Sequence, residues 1–334
     1  MKMRDFSGGI MFHHFHGGCH IVCQGSISGE ELYDMVTFLE KKYTIVDAAE
    51  WLRKACNEGP SDEEICLTFD DGLRCQYDIA LPILNDLGIK AFWFIYSSPL
   101  VGVMEKLEVY RHFRFSKFAS IEDFYAVFWI FLEKVSKQMD VNYKRSLSDF
   151  EMSNFCKEFA FYSFQDRQFR YFRDIILGQE KYYSLMDSLI SYYGYKPHKE
   201  LLWIDRNGIK DLYARGHIIG LHSHSHPTNL KSFDYEDQLR EYRINSEVIE
   251  SIIGQKPNVA SYPCGSFNSD TVHILRNIGV NAAFVESTYR AENDIYHIPR
   301  EDHANIMAKM NEGRLCNEDN SIYEQPAETY KSYK

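Results

Sequence analysis

The chain has 334 residues, of which 45% are hydrophobic, and its formal net charge is −11. A negative charge of this size repels the phosphates of nucleic acids and of anionic membrane surfaces. No stretch reaches the roughly 18 apolar residues that a membrane span needs, and His13, His14 and His16 interrupt any apolar run near the amino terminus. Composition therefore argues against a nucleic-acid partner and a membrane span. The 8 scattered cysteines show no CxxC spacing and favour a reduced, cytoplasmic protein.

Apolar runs of strand length recur along the chain and alternate with helical patterns. The runs predict seven strands, at residues 9–14, 65–69, 91–95, 217–222, 259–262, 281–285 and 295–299. The intervening patterns predict helices at residues 30–42, 47–55, 75–87, 206–215, 235–253 and 269–277. Four of these helices end beside a glycine suited to a left-handed cap: Gly88, Gly216, Gly254 and Gly279. Strands that alternate with helices form a parallel sheet, and seven such units predict an α/β barrel.

Residues 101–200 interrupt this alternation with an all-helical pattern. Ser120 is suited to cap a helix that contains the apolar run FYAVFWIFL at residues 124–132. We expect this run to form the core of an inserted subdomain, or else a face that meets a lipid tail or a partner. The predicted domains are the first part of the barrel at 1–100, the insertion at 101–200, the second part of the barrel at 201–310 and a polar tail at 311–334.

The stretch ICLTFDDGLR at residues 65–74 places two adjacent carboxylates at the end of an apolar strand. Neighbouring carboxylates repel each other, and each loses free energy on leaving water unless a cation or donor is present. One interpretation is a simple turn in which Asp70 and Asp71 face solvent. The other is a functional pair, because the chemistry of such barrels collects where the strands end.

A second informative stretch is HIIGLHSHSHPTNL at residues 217–230. His222 and His226 are four residues apart, so a helical turn after the strand would place both imidazoles on one side. An exposed pair without function is the alternative. With Asp71 the two histidines make a two-histidine, one-carboxylate set that can hold a divalent ion and leave positions open. Asp70 would then stand beside the ion as a base.

The motifs TFDDG, HSHSHP and SYPCGSFN, the last at residues 261–268, resemble those of the polysaccharide deacetylase family. This family is also called the NodB homology domain or carbohydrate esterase family four. The resemblance covers roughly residues 8–100 and 200–303, outside the helical insertion. It implies a distorted (β/α)7-type barrel, the NodB homology fold. It also implies hydrolysis of acetyl groups on sugars with a divalent metal, for which zinc is the expected ion.

Matching the motifs position by position implies a role for each residue. Asp70 corresponds to the general base, and the metal ligands are Asp71, His222 and His226, with Ser223 supporting the loop. Cys264 would hold the oxyanion through its backbone N–H, and Tyr262 and Pro263 beside it would contribute to substrate binding. The arginine that begins the family's third motif is replaced by Ser261. Arg300 is a hypothetical substitute for that arginine, reaching the base from another strand.

The catalytic acid is implied by a different match. The family's usual C-terminal histidine motif has no clean copy here, but MFHHF at residues 11–15 is similar to the start of a circularly permuted branch of the family. That similarity makes His13 the candidate acid and His14 the second choice. His303 is a further candidate. The alternative is that these histidines only fill space at the end of a strand.

The expected substrate follows from the family and from the predicted location. A cytoplasmic deacetylase would act on a nucleotide- or lipid-linked N-acetyl sugar, an intermediate of surface glycan biosynthesis. In YRHFRFSKF, residues 110–118, Arg111 and Arg114 could bind its diphosphate, or could simply lie on a solvated helix face. Competing functions are a catalytically inactive sugar-binding protein and a related amidohydrolase that acts on a formamide or a polymeric glycan. Nothing in the sequence predicts the oligomeric state.

Overall fold

A computed structural model describes residues 7–57, 59–137, 139–153, 155, 163–288 and 294–317. Within this part, the chain forms two compact units. The first contains residues 7–22, 26–105 and 199–317, and the second contains residues 23–25 and 106–198. The divisions lie a few residues from those predicted at 101 and 200. That residues 23–25 belong to the second unit was not predicted.

The first unit is built on parallel strands. They are β1 (Gly8–Phe12), β2 (Thr44–Ile45), β3 (Glu64–Phe69), β4 (Phe92–Ile95), β5 (Ile218–Leu221), β6 (Val259–Ser261), β7 (Ala282–Phe284) and β8 (Arg300–Asp302). Seven of them follow the order β7-β6-β5-β4-β3-β1-β8, while the short β2 pairs with β3 off this path. The result is a nearly closed seven-stranded barrel, which confirms the predicted (β/α)7-type fold.

The last strand differs from its prediction, and it also closes the barrel. The prediction placed it at residues 295–299, whereas β8 begins at Arg300. Pro299 has no backbone N–H and cannot donate to a ladder, although its carbonyl accepts from Gly9 N–H at 3.0 Å. On the other side, Val285 N–H donates to the Ile298 carbonyl at 2.9 Å. These bonds connect β7 to β1 through residues 298–302.

The helices of both units follow in chain order. They are α1 (Gly29–Glu40), α2 (Ala48–Asn57), α3 (Leu81–Leu87), α4 (Lys106–Lys117), α5 (Ile121–Val135), α6 (Tyr143–Met152), α7 (Phe164–Tyr171), α8 (Gly178–Tyr192), α9 (Lys199–Leu202), α10 (Arg206–Ala214), α11 (Tyr235–Ile253), α12 (Ser269–Asn277) and α13 (His303–Asn317). The predicted helix at 75–87 is instead a π-helical segment, Gln76–Ala80, followed by α3. The predicted tail is helical up to Asn317, and the rest of it lies outside the described residues. In the described part of the chain, no helix combines the length and apolarity that a membrane crossing requires.

Several helix ends confirm the predicted caps. Gly88 and Gly254 end α3 and α11 with φ of 72° and 74°, a left-handed conformation that glycine adopts without a steric penalty. Ser120 begins α5, and its side chain accepts a hydrogen bond from Asp123 N–H. These local signals depend on neighbouring residues only, so the sequence was sufficient to predict them.

The second unit packs aromatic side chains between its helices. Phe124, Tyr125, Phe128 and Leu132 of α5 are buried, and the Phe128 and Phe169 ring centroids lie 5.0 Å apart. The apolar run at residues 124–132 therefore forms core on one side of its helix. On the other side, Ile130 remains 58% exposed.

The barrel core contains one histidine whose protonation opposes folding. His217 is 1% exposed, and its Nδ1 accepts a hydrogen bond from Ala91 N–H at 3.1 Å. Only the neutral ring can accept that bond. Burial, with help from Lys90 and Arg215, lowers the pKa of His217 to about 4.

We expect the unfolded state, in which His217 has an ordinary pKa, to bind a proton before the folded state does. The free energy of unfolding should therefore fall as pH drops from about 6.5 to 4, by less than about 3 kcal/mol for this group. Thermal melts of a His217→Gln variant across this range should show a shallower slope than the wild type. His273→Gln, at an exposed position, serves as the control, and equal slopes for all three proteins would contradict this assignment.

Candidate active site

The predicted site residues lie in loops that follow parallel strands of the barrel. Asp70 and Asp71 come directly after β3, and His222 comes directly after β5. Since parallel strands end on the same rim, these side chains are brought to one place. Three residues of this region adopt left-handed backbone conformations without being glycine: Asp71 (φ 77°), Ser223 (φ 63°) and His226 (φ 56°). Such strained residues concentrate at functional sites.

The three predicted metal ligands converge. The Oδ1 atom of Asp71 lies 3.4 Å from Nε2 of His222 and 3.2 Å from Nε2 of His226. The histidines reach this position through a bent loop and not through the helical turn that their spacing predicted. His224, between them, points elsewhere, and its Nδ1 lies 2.8 Å from the Ser97 hydroxyl.

His222 is held from two sides. Its Nδ1 is 2.8 Å from the Ser261 carbonyl, which can only accept, so Nδ1 carries the proton and Nε2 presents a lone pair toward Asp71. Its backbone N–H donates to Oδ1 of Asn245 at 3.0 Å, and the Asn245 amide donates to the Ile95 carbonyl at 2.9 Å. Asn245 thus connects the ligand loop to the end of β4.

The two imidazoles differ electrostatically. Burial disfavours the charged form of both, but the Asp70 and Asp71 carboxylates outweigh it at His222 and raise that pKa. At His226 burial dominates and lowers the pKa to about 4. For Asp71, the two imidazoles more than offset burial and hold the pKa of its carboxyl well below the usual range. A cation binds when both histidines are neutral and the carboxylate is ionised, so it would take the place of the proton that the carboxylates favour on His222.

Asp70 has a different partner from Asp71. Arg300 donates two hydrogen bonds to the Asp70 carboxylate, from Nη1 to Oδ1 at 2.7 Å and from Nη2 to Oδ2 at 2.8 Å. The Ser261 hydroxyl lies 3.2 Å from Oδ2 and accepts from the same guanidinium at 2.7 Å. Burial would raise the pKa of Asp70, but Arg300 outweighs it and lowers that pKa. Arg300 is 1% exposed, so this ion pair is shielded from water.

The candidate acids lie in different surroundings. His13 follows β1, is half-buried, and interacts electrostatically with Asp70, Asp71 and His226. His303 is 5% exposed, its ring stacks on Phe12, and its Nδ1 lies 3.2 Å from the Met11 carbonyl. His303 therefore packs in the barrel. Of these two candidate acids, His13 is the one that interacts electrostatically with both carboxylates.

The third-motif residues separate into a core part and an exposed part. Tyr262 is 1% exposed, and its hydroxyl donates to the Tyr296 carbonyl at 3.1 Å. Pro263 is also buried. Their side chains pack against the core, and the predicted contact with substrate stays a prediction. Cys264 is exposed and has a left-handed φ of 50°, so its backbone lies at a sharp turn.

The two predicted phosphate-binding arginines belong to the second unit, and both have internal contacts. Arg111 forms an ion pair with Glu108, three residues earlier on α4. The Arg114 guanidinium lies over the rings of Phe124 and Phe169, 5.7 and 5.5 Å from their centroids. A bound diphosphate would compete with Glu108 for Arg111.

The residues at the barrel rim fit a divalent metal ion. Oδ1 of Asp71 is buried and accepts no hydrogen bond from the described residues, a costly arrangement unless a cation satisfies it. Two ligand atoms about 2.1 Å from a tetrahedrally coordinated ion lie roughly 3.4 Å apart. The observed separations of 3.2 and 3.4 Å match that value. Two nitrogens and one carboxylate oxygen are also a donor set that zinc accepts.

A second group of possible ligands, Cys19, His20 and Asp78, lies elsewhere in the described chain. Its carboxylate is already engaged, because Arg74 donates to both oxygens of Asp78 at 2.9 and 3.0 Å. His20 Nε2 lies 2.9 Å from the same carboxylate. An ion-pair network accounts for this group without a metal.

Comparison with known proteins agrees with the geometry. The family model for polysaccharide deacetylases matches residues 57–111 and 189–283, which contain the DD motif, the HSHSH loop and the third motif. Over these two segments the chain is similar to the polysaccharide deacetylase family. None of the curated proteins compared with it matched.

Three solved structures share the fold of this chain, and two of them are named as deacetylases. The Streptococcus pyogenes deacetylase PplD, in complex with acetate, is 14% identical with a TM-score of 0.51, over 89% of this chain and 92% of that chain. IcaB from Ammonifex degensii is 14% identical with a TM-score of 0.50, over 89% and 91%. A de-N-acetylase from Aggregatibacter actinomycetemcomitans is 13% identical with a TM-score of 0.51, over 88% and 93%.

The site also uses residues that sequence analysis missed. Asn245 accepts a hydrogen bond from the His222 backbone N–H. The Gln76 side chain donates to the backbone carbonyl of Asp70. No motif contains them. The available signal for Asn245 was a polar residue on the buried face of α11, between Tyr242 and Ile249, because buried polar groups require specific partners.

We expect zinc affinity to depend on His226 and not on its neighbour His224. Removing a direct ligand should weaken binding by more than the roughly 10–100-fold that loss of an outer-sphere partner causes. The measurement is elemental analysis and calorimetric titration of His226→Gln beside His224→Gln, two changes of equal chemistry in one loop. Equal zinc content in both variants would contradict the assignment of ligands.

Proposed function

We propose that this protein is a metal-dependent carbohydrate N-deacetylase, which hydrolyses the N-acetyl group of an amino sugar to a free amine and acetate. One observation carries the proposal. Asp71, His222 and His226 converge on one point, while Asp70 stands beside them, 3.9 Å from His222 Nε2, with a cation of its own. A site that only bound sugar would have no physical need for a second, separately held carboxylate.

Asp71, His222 and His226 would hold the metal, with zinc as the expected ion. When bound, such an ion supplies a Lewis acid that polarises oxygen atoms and makes water more acidic. The protein's part is to orient the ligands. Ser261 fixes the ring of His222 through its carbonyl, and Ser223 accepts a hydrogen bond from the His226 backbone at 3.2 Å.

Asp70 would act as the general base that removes a proton from the attacking water. Its carboxylate is held through both oxygens, which fixes its direction. Arg300 would thus do the work of the arginine that the family places at the position of Ser261. The small Ser261 adds a hydroxyl that contacts both the carboxylate and the guanidinium.

The remaining two roles belong to Cys264 and His13. The Cys264 backbone N–H at the exposed turn would stabilise the oxyanion, as preorganised amide donors do. An amine leaves poorly unless it is protonated, so an acid is required. His13 would supply that proton, since it lies near both carboxylates and an imidazole can donate near neutral pH.

The proposed substrate is a nucleotide- or lipid-linked N-acetyl sugar, an intermediate of surface glycan biosynthesis in the cytoplasm. Arg111 and Arg114 would contribute to binding its diphosphate. Two of the similar structures are named as a deacetylase and a de-N-acetylase, and the first holds acetate, the acid released in this reaction. A preference for polymeric glycan would instead place the protein with enzymes that modify finished chains.

We expect the zinc-loaded protein to release acetate from at least one member of a panel of N-acetyl sugars. The panel contains free, nucleotide-linked, lipid-linked and polymeric forms, and a formamide analogue. Asp70→Asn should lower kcat by about 10²–10⁴-fold, the usual contribution of a general base. Cys264→Ser is the control and should retain activity, because the backbone N–H is unchanged. Neither acetate from any N-acetyl form nor formate from the formamide analogue would favour a sugar-binding protein over an enzyme.

Arg300 offers a separate test of how the base is held. Arg300→Lys keeps the charge but not the two-pronged contact, and we expect kcat to fall by about 10–100-fold. Arg300→Gln leaves a buried carboxylate unpaired and should cost about 3–5 kcal/mol of unfolding free energy. Ser261→Ala removes one neutral donor and should cost about 1 kcal/mol. Full activity in Arg300→Lys would show that Asp70 needs no fixed orientation.

A further inference from the structure

Gln76 joins the two loops that carry the proposed base and the proposed acid. Its side chain is 0% exposed. Its Nε2 donates to the His13 carbonyl at 2.8 Å and to the Asp70 carbonyl at 2.6 Å. Its Oε1 accepts from Leu73 N–H at 3.2 Å. Both protons of the carboxamide are therefore used, each on the backbone of a residue with a proposed catalytic role.

The position of this carboxamide follows from where the strands end. β1 and β3 are parallel neighbours, and their last paired residues are Phe12 and Phe69. The final hydrogen bond beyond this pair runs from Asp70 N–H to the Phe12 carbonyl at 3.1 Å. After that point the ladder stops, because the chain turns at Asp71. The carbonyls of His13 and Asp70 would then be left without strand partners, and the Gln76 amide bridges them.

A second contact comes from the preceding residue. The Cys75 sulfur, which is buried, accepts a hydrogen bond from Phe15 N–H at 3.4 Å. Two consecutive side chains at the start of the π-helical segment thus hold the His13 loop at two points. Such π-helical segments occur frequently at functional sites.

We propose that Gln76 is a positioning residue, which sets the spacing between His13 and Asp70 by acting as one further rung between β1 and β3. This inference rests on the proposed function, since it assigns a purpose to that spacing. The acid and the base must face different atoms of the substrate at once. A fixed bridge between their backbones keeps both in place without contacting the substrate.

The test is a double-mutant cycle with Gln76→Met, which keeps the shape of the side chain and removes its hydrogen bonds. We expect kcat for acetate release to fall by about 10–100-fold in the wild-type background. The same change should have less than about a 3-fold effect in a His13→Gln background, because the residue to be positioned is absent. Equal effects in the two backgrounds would overturn the proposal.

Gln238→Met is the matched control, because Gln238 is also 0% exposed and also bonds through both ends of its amide, to the Phe233 carbonyl at 2.9 Å and to Thr271 at 2.5 Å. It should cost comparable stability without any dependence on His13. Where Gln76→Met does not fold, Gln76→Glu, which retains the acceptor for Leu73, takes its place in the cycle.

The proposal can also be tested if the wild-type protein releases no acetate and the proposed function fails. The carbonyl carbon NMR signals of His13 and Asp70 in labelled protein report the bridge directly. We expect both signals to move in Gln76→Met and to stay in place in Gln238→Met. Signals that do not move in Gln76→Met would show that no bridge forms.

Discussion

Two adjacent carboxylates cannot both stay ionised and buried on one barrel rim unless each has a cationic or polar partner of its own. The structure meets this constraint by sending the two side chains in different directions. Asp70 accepts two hydrogen bonds from Arg300 and one from Ser261. Asp71 instead faces two imidazoles and keeps an oxygen that accepts no hydrogen bond from the described residues. This division gives one acid the surroundings of an oriented base and the other the surroundings of a ligand.

The arrangement requires strained backbone, and the surrounding helices hold it in place. Ser223 and His226 lie in the left-handed region, which costs an L-residue about 1–2 kcal/mol. Helix α11 opposes that cost with two side chains one turn apart. Glu241 accepts hydrogen bonds from His224 N–H and Ser225 N–H at 2.9 and 2.7 Å, and Asn245 accepts from His222 N–H. A loop held at three backbone donors within four residues has little freedom to relax.

The guanidinium beside Asp70 shows that a chemical requirement can be met from more than one place in the chain. Ser261 ends β6, whereas Arg300 begins β8, yet both reach the same carboxylate. A closed barrel makes this possible, because several strands bring side chains to a shared interior. Arginine is long enough to enter from either strand, and a small residue at 261 leaves it room.

Patterns in the sequence were enough to predict most strands and helices, the seven-stranded barrel and the resemblance to polysaccharide deacetylases. Apolar periodicity and glycine caps depend on a few neighbouring residues, so helices and strands can be predicted from short stretches of sequence. The motifs around Asp70 and His222 also identified the side chains that meet at the rim, since parallel strands end together. The sequence did not give the true bounds of the last strand, where Pro299 withholds a donor that the apolar pattern does not reveal.

Only the tertiary structure decided which partner each acid has. The pairing of Asp70 with Arg300 spans 230 positions, and the bridge from Gln76 to His13 spans 63. Contacts at such separations depend on how the barrel closes and on which buried polar atoms remain unsatisfied after the strands have paired. The burial of Tyr262 also depends on such a distant contact, because its hydroxyl donates to the Tyr296 carbonyl. A motif shows which residues are present. The direction in which each side chain points depends on packing against parts of the chain that are far away in sequence.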